Sequence, residues 1–225
     1  MRTHIEHAGR TFTFGRRLSE RRDPRNRDFP AATSRIRSVA WTRHGDPFDQ
    51  GDVGSCTGNA LAGWFNTEAG GYRAGVPLLT EDDAVDLYSA GTRNDRIRGV
   101  YPPDDTGSTG PAVCKGAKRA GLLHSYSHAF GIEHMLGAMM RGPVMIGSVW
   151  LRGMMDPDPA GVVTPSGAEV GGHEYLATGY DDTTKVITFW NSWGSGWGDR
   201  GRFYMDVSDV SWLLDQRGDV TVPIL

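Results

Sequence analysis

The chain has 225 residues, a net charge of −3 at pH 7, and a composition of 38% hydrophobic and 10% aromatic residues. A chain of this length folds as one domain of ordinary size or as two closely packed lobes, and it can bury a substantial core. A mean hydropathy of −0.42 without an apolar run of about 18 residues excludes a transmembrane helix.

Cysteine usage and the start of the chain predict the cellular setting. Cys56 and Cys114 are the two cysteines, which fits a reducing compartment and a functional thiol better than a disulfide framework. The first residues contain no apolar segment of the kind that directs secretion. We therefore expect a cytoplasmic or other reducing location without a signal peptide, with a phage virion as a further candidate.

The first 36 residues form a basic segment with little periodicity, which we call the N-terminal arm. Residues 1–37 contain ten arginines and four acidic residues, a net charge of +6, so the rest of the chain carries −9. A basic arm suits nucleic acid, a membrane surface or an acidic protein. The arginines follow no helical face, so we expect neither nucleic acid nor a membrane as partner. We favour an arm that folds back on its own acidic domain, with contact to a larger protein assembly as the alternative.

Helix signals dominate the first part of the domain, after a short extended entry around Val39. Thr80 followed by three acidic residues is an N-cap with a favourable first turn. The pairs Gly70-Gly71 and Gly142-Pro143 are typical of helix ends. The helices predicted from these signals cover residues 56–68, 80–90, 112–120 and 132–141, with a loop over 91–111.

The character of the sequence changes at about residue 143, where short apolar or alternating runs separated by Gly and Asp predict strands. Helices followed by strands indicate an α+β fold class. We expect one domain over residues 37–225, in which a helical lobe (about 50–142) packs on an antiparallel β lobe (about 143–225). The predicted strands cover 144–150, 173–180, 185–190, 202–205 and 220–222.

Cys56 lies where a polar, glycine-broken loop becomes an apolar-periodic helix, so we expect it in the first helical turn. Unpaired N–H groups and the positive end of the helix dipole favour an anion there, which predicts a thiol pKa below the usual value of about 8.5. Gln50 lies six residues earlier. Its amide and the Cys56 N–H would together bind the oxyanion that forms when a thiolate attacks a carbonyl. The alternative is a buried cysteine that only fills the core.

A cysteine nucleophile needs a histidine beside it and a third group that orients the imidazole ring. Among seven histidines, His173 follows two glycines at the start of a predicted strand, so its ring would stand at the edge of the sheet. If this strand and the next form a hairpin, Asn191 lies across from His173, and its carbonyl oxygen can accept from the imidazole. Trp193 would shield that hydrogen bond from water. The alternative is an ordinary hairpin with a packed tryptophan.

Other candidate ligands are weaker. His124 and His128 have the i, i+4 spacing that would suit a metal on a helix. No Glu accompanies them in a zinc-binding pattern and no other ligand cluster is near, so we expect no metal site and no cofactor. We interpret Cys114, in the third predicted helix, as part of the core.

Separated motifs, in the family's order, carry a resemblance to the papain-like cysteine peptidases, particularly to prokaryotic and phage-type forms. They match the family's nucleophile loop, histidine strand and asparagine motif. The matching segments are Asp49-Gln50-Gly51-x-x-Gly54-Ser55-Cys56-Thr57-x-Asn59-Ala60, Gly171-Gly172-His173 with its continuation to Tyr180, and Trp190-Asn191-Ser192-Trp193-Gly194-x-Gly196-Trp197-Gly198.

The resemblance implies a two-lobed α+β fold with a substrate cleft between the lobes and a peptide or protein as substrate. It implies Cys56 as nucleophile, His173 as acid and base, Asn191 as the residue that orients the imidazole, and Gln50 as oxyanion donor. The implied function is a cysteine endopeptidase that hydrolyses peptide bonds without a cofactor.

The resemblance also implies where substrate binds. Gly107 and Ser108 fall, by order along the chain, where the family pairs its backbone with an extended substrate, and Trp193 would line the same cleft. The chain departs from the family's secreted members in having neither disulfides nor a long inhibitory pro-segment, although the short arm can still cover the cleft. Glu174 stands where the family usually has a small or apolar residue. Its carboxylate would either raise the imidazolium pKa of His173 or point away on the opposite strand face.

Two other classes of function remain open from the sequence. The first is a structural or virion-associated protein that keeps the fold and is tethered by the N-terminal arm. The second keeps the Cys56 chemistry but changes the substrate or acceptor, which gives a cell-wall peptide hydrolase or an acyl-transferase.

Overall fold

A computed structural model describes residues 3–17 and 24–225 of the chain. None of the helices in these ranges is long and apolar enough to cross a bilayer. The helices are α1 (Cys56–Phe65), α2 (Glu81–Thr92), α3 (Gly110–Arg119), α4 (Ile132–Met139) and α5 (Val207–Asp215), with short 3-10 turns at Pro24–Asp28 and Arg152–Met155. The strands are β1 (Thr3–His7), β2 (Arg10–Phe14), β3 (Val39–Ala40), β4 (Ser125–Ala129), β5 (Val144–Leu151), β6 (Glu169–Asp181), β7 (Val186–Trp190), β8 (Arg202–Asp206) and β9 (Asp219–Ile224).

Seven strands form one antiparallel sheet in the order β4-β9-β5-β6-β7-β8, and β3 pairs with the far end of β6. The long strand β6 is central, because it pairs with β5 along one edge and with β7 along the other. Helices α1, α2 and α3 precede most of the sheet and pack against one another and against it. The predicted α+β fold class is therefore confirmed.

Two apolar cores hold these layers together. The larger core lies on the side of the sheet that carries Trp150, whose ring meets Tyr175, Phe203 and other aromatic rings edge-on at centroid distances of 5 to 6 Å. The smaller core joins the helices to the other side of the sheet through residues such as Leu61 and Leu176. Cys114 lies in this smaller core, as expected, with its Sγ 3.9 Å from the Met145 Sδ.

The structure corrects several predicted boundaries. The first helix ends at Phe65 rather than Glu68, the second continues two residues past Ala90 to Thr92, and β6 begins four residues before His173. These segments were correctly predicted as helices and a strand. Their ends differ because they depend on tertiary contacts that the local sequence does not contain. The N-cap predicted at Thr80 is present, and Thr80 and Asp83 bond reciprocally in a capping box.

Three elements were missed by the sequence analysis, namely the β1–β2 hairpin, β4 and α5. The hairpin lies in the arm, where only the run Thr11-Phe12-Thr13-Phe14 alternates, and an isolated hairpin of this length is marginal without a surface to pack on. Strand β4 is short and polar and is fixed by pairing with β9. Because His128 lies in β4 and His124 precedes it, the two histidines do not share a helical face.

Close packing of α1 on α2 depends on a glycine. A Cβ atom on Gly58 would lie 2.0 Å from the Ala84 carbonyl oxygen, so no side chain fits between the two helices at this point. Gly63, two residues before the end of the same helix, has room for a side chain, because a Cβ atom added there would lie no closer than 3.4 Å to its nearest neighbour, the Arg43 Nε. The position of α1, which carries Cys56 at its start, therefore depends on Gly58 and not on Gly63.

We expect Gly58→Ala to lower the free energy of unfolding by about 1–3 kcal/mol, because the added methyl group forces the two helices apart. Gly63→Ala is the matched control in the same helix, and there the gain in helix propensity leaves stability unchanged or raises it by about 0.5–1 kcal/mol. Urea unfolding of both variants measures the difference. Equal stability of the two variants would show that the contact between α1 and α2 is not as close as described.

Candidate active site

Cys56 is the first residue of α1 and is fully buried. Its sulfur lies within hydrogen-bonding reach of two backbone N–H groups, those of Glu174 in β6 and Gly15 in the arm. Ser55, the residue before the helix, makes no side-chain capping bond. The thiol is thus held between the start of a helix, the strand that carries His173, and the N-terminal arm.

His173 and Asn191 are hydrogen-bonded as the sequence analysis predicted. The His173 Nε2 lies 2.7 Å from the Asn191 Oδ1, which also accepts from the backbone N–H of Ser192 at 2.8 Å. The Trp193 ring stacks on the imidazole, with 4.5 Å between centroids and 20° between planes. Because Nε2 is engaged by Asn191, the ring nitrogen left for a reaction is Nδ1, which is buried and has no hydrogen-bond partner.

Gln50 is fixed with its amide donor directed at a carbonyl. Its Oε1 accepts from the Ser192 hydroxyl at 2.7 Å, which determines the orientation of the amide. Its Nε2 donates to the carbonyl oxygens of Val53, at 2.9 Å, and Thr13, at 3.1 Å. The Thr13 carbonyl belongs to the arm, so the predicted oxyanion donor is already bound to a backbone carbonyl.

The arm crosses this site as an extended segment. The Ser108 N–H donates to the Gly15 carbonyl at 2.8 Å, and the Arg17 N–H donates to the Ser108 carbonyl at 2.7 Å. On the other side, the Arg16 N–H donates to the Gly172 carbonyl at 3.1 Å. Residues 15–17 of the arm are therefore held by backbone hydrogen bonds from both walls of the site.

The predicted substrate-binding residues all contact the arm. Ser108 pairs with the backbone of the arm. Gly107 has a φ of 70°, and a Cβ atom added to it would lie only 2.1 Å from the Gly15 carbonyl oxygen. The Trp193 ring meets Phe12 and Phe14 edge-on, at centroid distances of 5.0 and 5.6 Å. Sequence reasoning missed these contacts, although the alternation at Thr11-Phe12-Thr13-Phe14 was a signal for a strand that covers an apolar surface.

Burial under the arm changes the pKa values of both reactive groups. Desolvation, followed by the charge of Glu174, raises the pKa of Cys56 to about 12, and the N–H groups of Glu174 and Gly15 and the charge of Arg16 only partly oppose this. Desolvation lowers the pKa of His173 to about 4, against the opposing effect of the Asn191 hydrogen bond. The lowered thiol pKa expected from the helix terminus is therefore wrong for this covered arrangement, in which thiol and imidazole are both neutral at pH 7.

Glu174 points to the side of β6 opposite His173. Its carboxylate is buried and its Oε2 lies 3.6 Å from the Arg16 Nε. Of the two orientations that the sequence left open, the structure has the second. His173 and Tyr175, two residues apart, share the other face with their ring centroids 6.0 Å apart.

The fold of this chain is similar to that of solved cysteine proteases. The chain superimposes on xylellain, a cysteine protease from Xylella fastidiosa, with a TM-score of 0.70 over 94% of this chain and 95% of that one, at 18% identity. The chain has the papain-like fold. This confirms the resemblance and the α+β fold that it implied.

Two sequence relatives of this papain-like chain are longer proteins, and the chain matches only part of each. An uncharacterised peptidase C1-like protein of Acanthamoeba polyphaga mimivirus is 32% identical over 108 residues, 42% of this chain and 34% of the relative. The gamete and mating-type specific protein A of Dictyostelium discoideum is 26% identical over 192 residues, 76% of this chain and 42% of the relative. The chain thus spans less than half of the length of these relatives, and no protein-family model matches it.

Within residues 3–17 and 24–225, no group of three or more His, Cys, Asp or Glu side chains is arranged to hold a metal ion. Both cysteines are free.

The covered state predicts a distinct pH profile for thiol alkylation. With a Cys56 pKa of about 12, we expect the iodoacetamide rate to rise about tenfold per pH unit from pH 7 to 10, because only the thiolate reacts. Cys114→Ser removes the other thiol, and mass spectrometry of Cys56 peptides follows the reaction. A rate that is flat between pH 5 and 9 would indicate a preformed thiolate–imidazolium pair and contradict the covered state.

Proposed function

We propose that the chain is a papain-like cysteine peptidase that uses Cys56, His173, Asn191 and Gln50, and that its N-terminal arm holds it in a latent form. The observation that carries the proposal is the His173–Asn191 hydrogen bond of 2.7 Å beside the strand backbone that reaches the Cys56 sulfur. This arrangement supplies a nucleophile, an oriented base and a water-excluding wall, which covalent catalysis requires.

The acylation step follows from these positions. The Cys56 thiol gives its proton to the His173 Nδ1, and the thiolate attacks the carbonyl carbon of a peptide bond. The oxyanion that forms is bound by the Gln50 Nε2–H and the Cys56 backbone N–H. The His173 imidazolium then protonates the leaving nitrogen, the C–N bond breaks, and the acyl group remains on sulfur as a thioester.

Deacylation uses the same histidine in the opposite direction. The His173 Nδ1 removes a proton from water, and the resulting hydroxide attacks the thioester carbonyl. The C–S bond then breaks, which releases a carboxylic acid and the Cys56 thiolate, and the thiolate takes the proton back from the His173 imidazolium. Asn191 acts throughout by holding Nε2, which keeps Nδ1 directed at the reaction. Trp193, which is 2% exposed, keeps water from competing for that hydrogen bond.

The arm engages both the nucleophile and the oxyanion donor through its backbone. An N–H group, that of Gly15, faces the Cys56 sulfur, and the Thr13 carbonyl takes the Gln50 donor. Access to substrate therefore requires displacement of the arm. Since desolvation is the largest cause of both pKa shifts, hydration of the open cleft would lower the thiol pKa and raise that of the imidazole.

Loosening the arm is expected to expose the nucleophile. Arg16→Ala removes the buried guanidinium that anchors the arm, and we expect labelling of Cys56 by a thiol-directed epoxide to become about tenfold faster or more. Arg27→Ala, which removes an exposed arginine of the same arm, is the matched control and should label like the parent protein. Equal rates for all three proteins would show that the arm does not limit access.

The catalytic roles are tested in the full chain that carries Arg16→Ala. Cys56→Ser and His173→Ala should each abolish peptide hydrolysis, and Gln50→Ala should reduce kcat by about 10²–10³ because the oxyanion loses a donor. Circular dichroism and thermal unfolding check that each variant is folded. An unchanged kcat in Gln50→Ala would refute its role in oxyanion binding.

The alternative functions are outcomes of the same experiments. Labelling of Cys56 no faster than that of a free thiol, in every arm variant, would favour a structural protein that keeps the papain-like fold. Product analysis with and without an added amine separates hydrolysis from acyl transfer, and peptides from cell walls test the remaining substrate class.

A further inference from the structure

We propose that Glu174 and Asp219 form a pocket beside the nucleophile that selects an arginine side chain in the substrate, and that Arg16 of the arm occupies it as a built-in substitute. This inference rests on the proposed peptidase function and names its substrate class. The walls of the pocket belong to the papain-like domain and not to the arm.

The Arg16 side chain is buried between acidic groups of the domain, as a bound guanidinium ligand would be. Its side chain is 3% exposed, its Nη2 donates to the Asp219 carboxylate and, at 3.3 Å, to the Arg217 carbonyl oxygen, and its Nε lies 3.6 Å from the Glu174 Oε2. Two carboxylates thus flank one guanidinium. The fixed fork of N–H donors in a guanidinium suits this arrangement, whereas the compact ammonium of lysine can approach only one carboxylate closely.

The sheet itself leaves room for the guanidinium. Gly147 lies in the middle of the fully buried strand β5, where a glycine costs strand stability. A Cβ on Gly147 would lie 2.0 Å from the Arg16 Nε and 2.6 Å from the Glu174 Oε2. A Cβ on Gly110 would lie 2.4 Å from the Glu174 Oε1. Any larger residue at these two positions would fill the pocket, so its volume is a property of the domain.

Arg16 does not use all of the pocket's acceptors. The Glu174 side chain has no exposed surface, yet neither of its oxygens has a hydrogen-bond partner, and the buried Thr221 Oγ1 is also unpaired. Buried carboxylates need a hydrogen-bonded cation to remain charged. The Arg16 Nε and Nη1 are unpaired as well, so an arginine that enters slightly deeper than Arg16 would pair its donors with these unused acceptors.

The backbone register places a substrate side chain in the same pocket. Arg16 lies between the Ser108 carbonyl and amide on one wall and the Gly172 carbonyl on the other, next to the residue whose N–H faces the Cys56 sulfur. An extended peptide held by the same two walls puts one side chain at the Arg16 position. Selection therefore acts on the substrate residue that pairs with Ser108.

The experiment compares arginine with citrulline, which has nearly the same shape and no charge. The enzyme is the full chain with Arg16→Ala, and the substrates are two fluorogenic peptide libraries that carry either residue at each position in turn. We expect one position at which kcat/KM for arginine exceeds that for citrulline by about 10²-fold, because a charge-paired site rejects a neutral analogue. Glu174→Gln and Asp219→Asn, added singly, should bring this ratio towards one while citrulline peptides are still cleaved. Cleavage without a preference at any position would overturn the pocket and leave the peptidase function standing.

A thermal-shift measurement of ligand binding tests the pocket even if the protein hydrolyses no peptide. Agmatine, a free guanidinium ligand, should raise the Tm of the Arg16→Ala protein and should not raise that of the Arg16→Ala/Glu174→Gln protein. Absence of hydrolysis and of epoxide labelling would refute the peptidase function, whereas absence of an agmatine shift would refute the pocket. Phe14→Ala, which loosens the arm from His173 and Trp193, replaces Arg16→Ala in the peptide comparison if that variant does not fold.

Discussion

The contact between the start of α1 and strand β6 is the constraint on which the site depends. Gly58 lets α1 lie against α2, and Leu61 and Leu176 join α1 to β6 in the smaller core. This packing puts the Cys56 sulfur within reach of the Glu174 N–H, one residue beyond His173. Apolar contacts that themselves take no part in chemistry thus place the thiol at the helix start against the strand that carries His173.

Much of this arrangement could be predicted from the sequence because its signals are local. The glycine-broken loop before Cys56, the capping box at Thr80 and the alternation in β7 each specify an element through its own residues. The pairing of His173 with Asn191 could be predicted because a hairpin brings residues close in sequence together. These are the cases in which local propensity and tertiary structure agree.

The position of the arm and the pKa values could not be predicted, because both depend on contacts between residues far apart in the chain. Thr13 bonds Gln50 and Arg16 bonds Asp219, and neither pair shares a local pattern. The helix terminus does favour a thiolate at Cys56, but the effect of a helix dipole is about 0.3–1 kcal/mol. Full burial beside Glu174 outweighs it, and burial is a property of the folded chain that a single loop does not reveal.

Latency and substrate preference are coupled if the arm and the substrate share one pocket. Each contact that Glu174 or Asp219 makes with a guanidinium stabilises the covered state when the guanidinium is Arg16, and stabilises the enzyme–substrate complex when it belongs to a peptide. The arm competes at the high effective concentration of a tethered ligand, so a free peptide must gain something that the arm lacks. The unpaired oxygens of Glu174 offer such a gain, because a deeper arginine in a substrate bound with its carbonyl at Gln50 would use acceptors that Arg16 leaves open. A pocket that fits Arg16 imperfectly therefore holds the arm over the cleft and still allows a substrate to displace it.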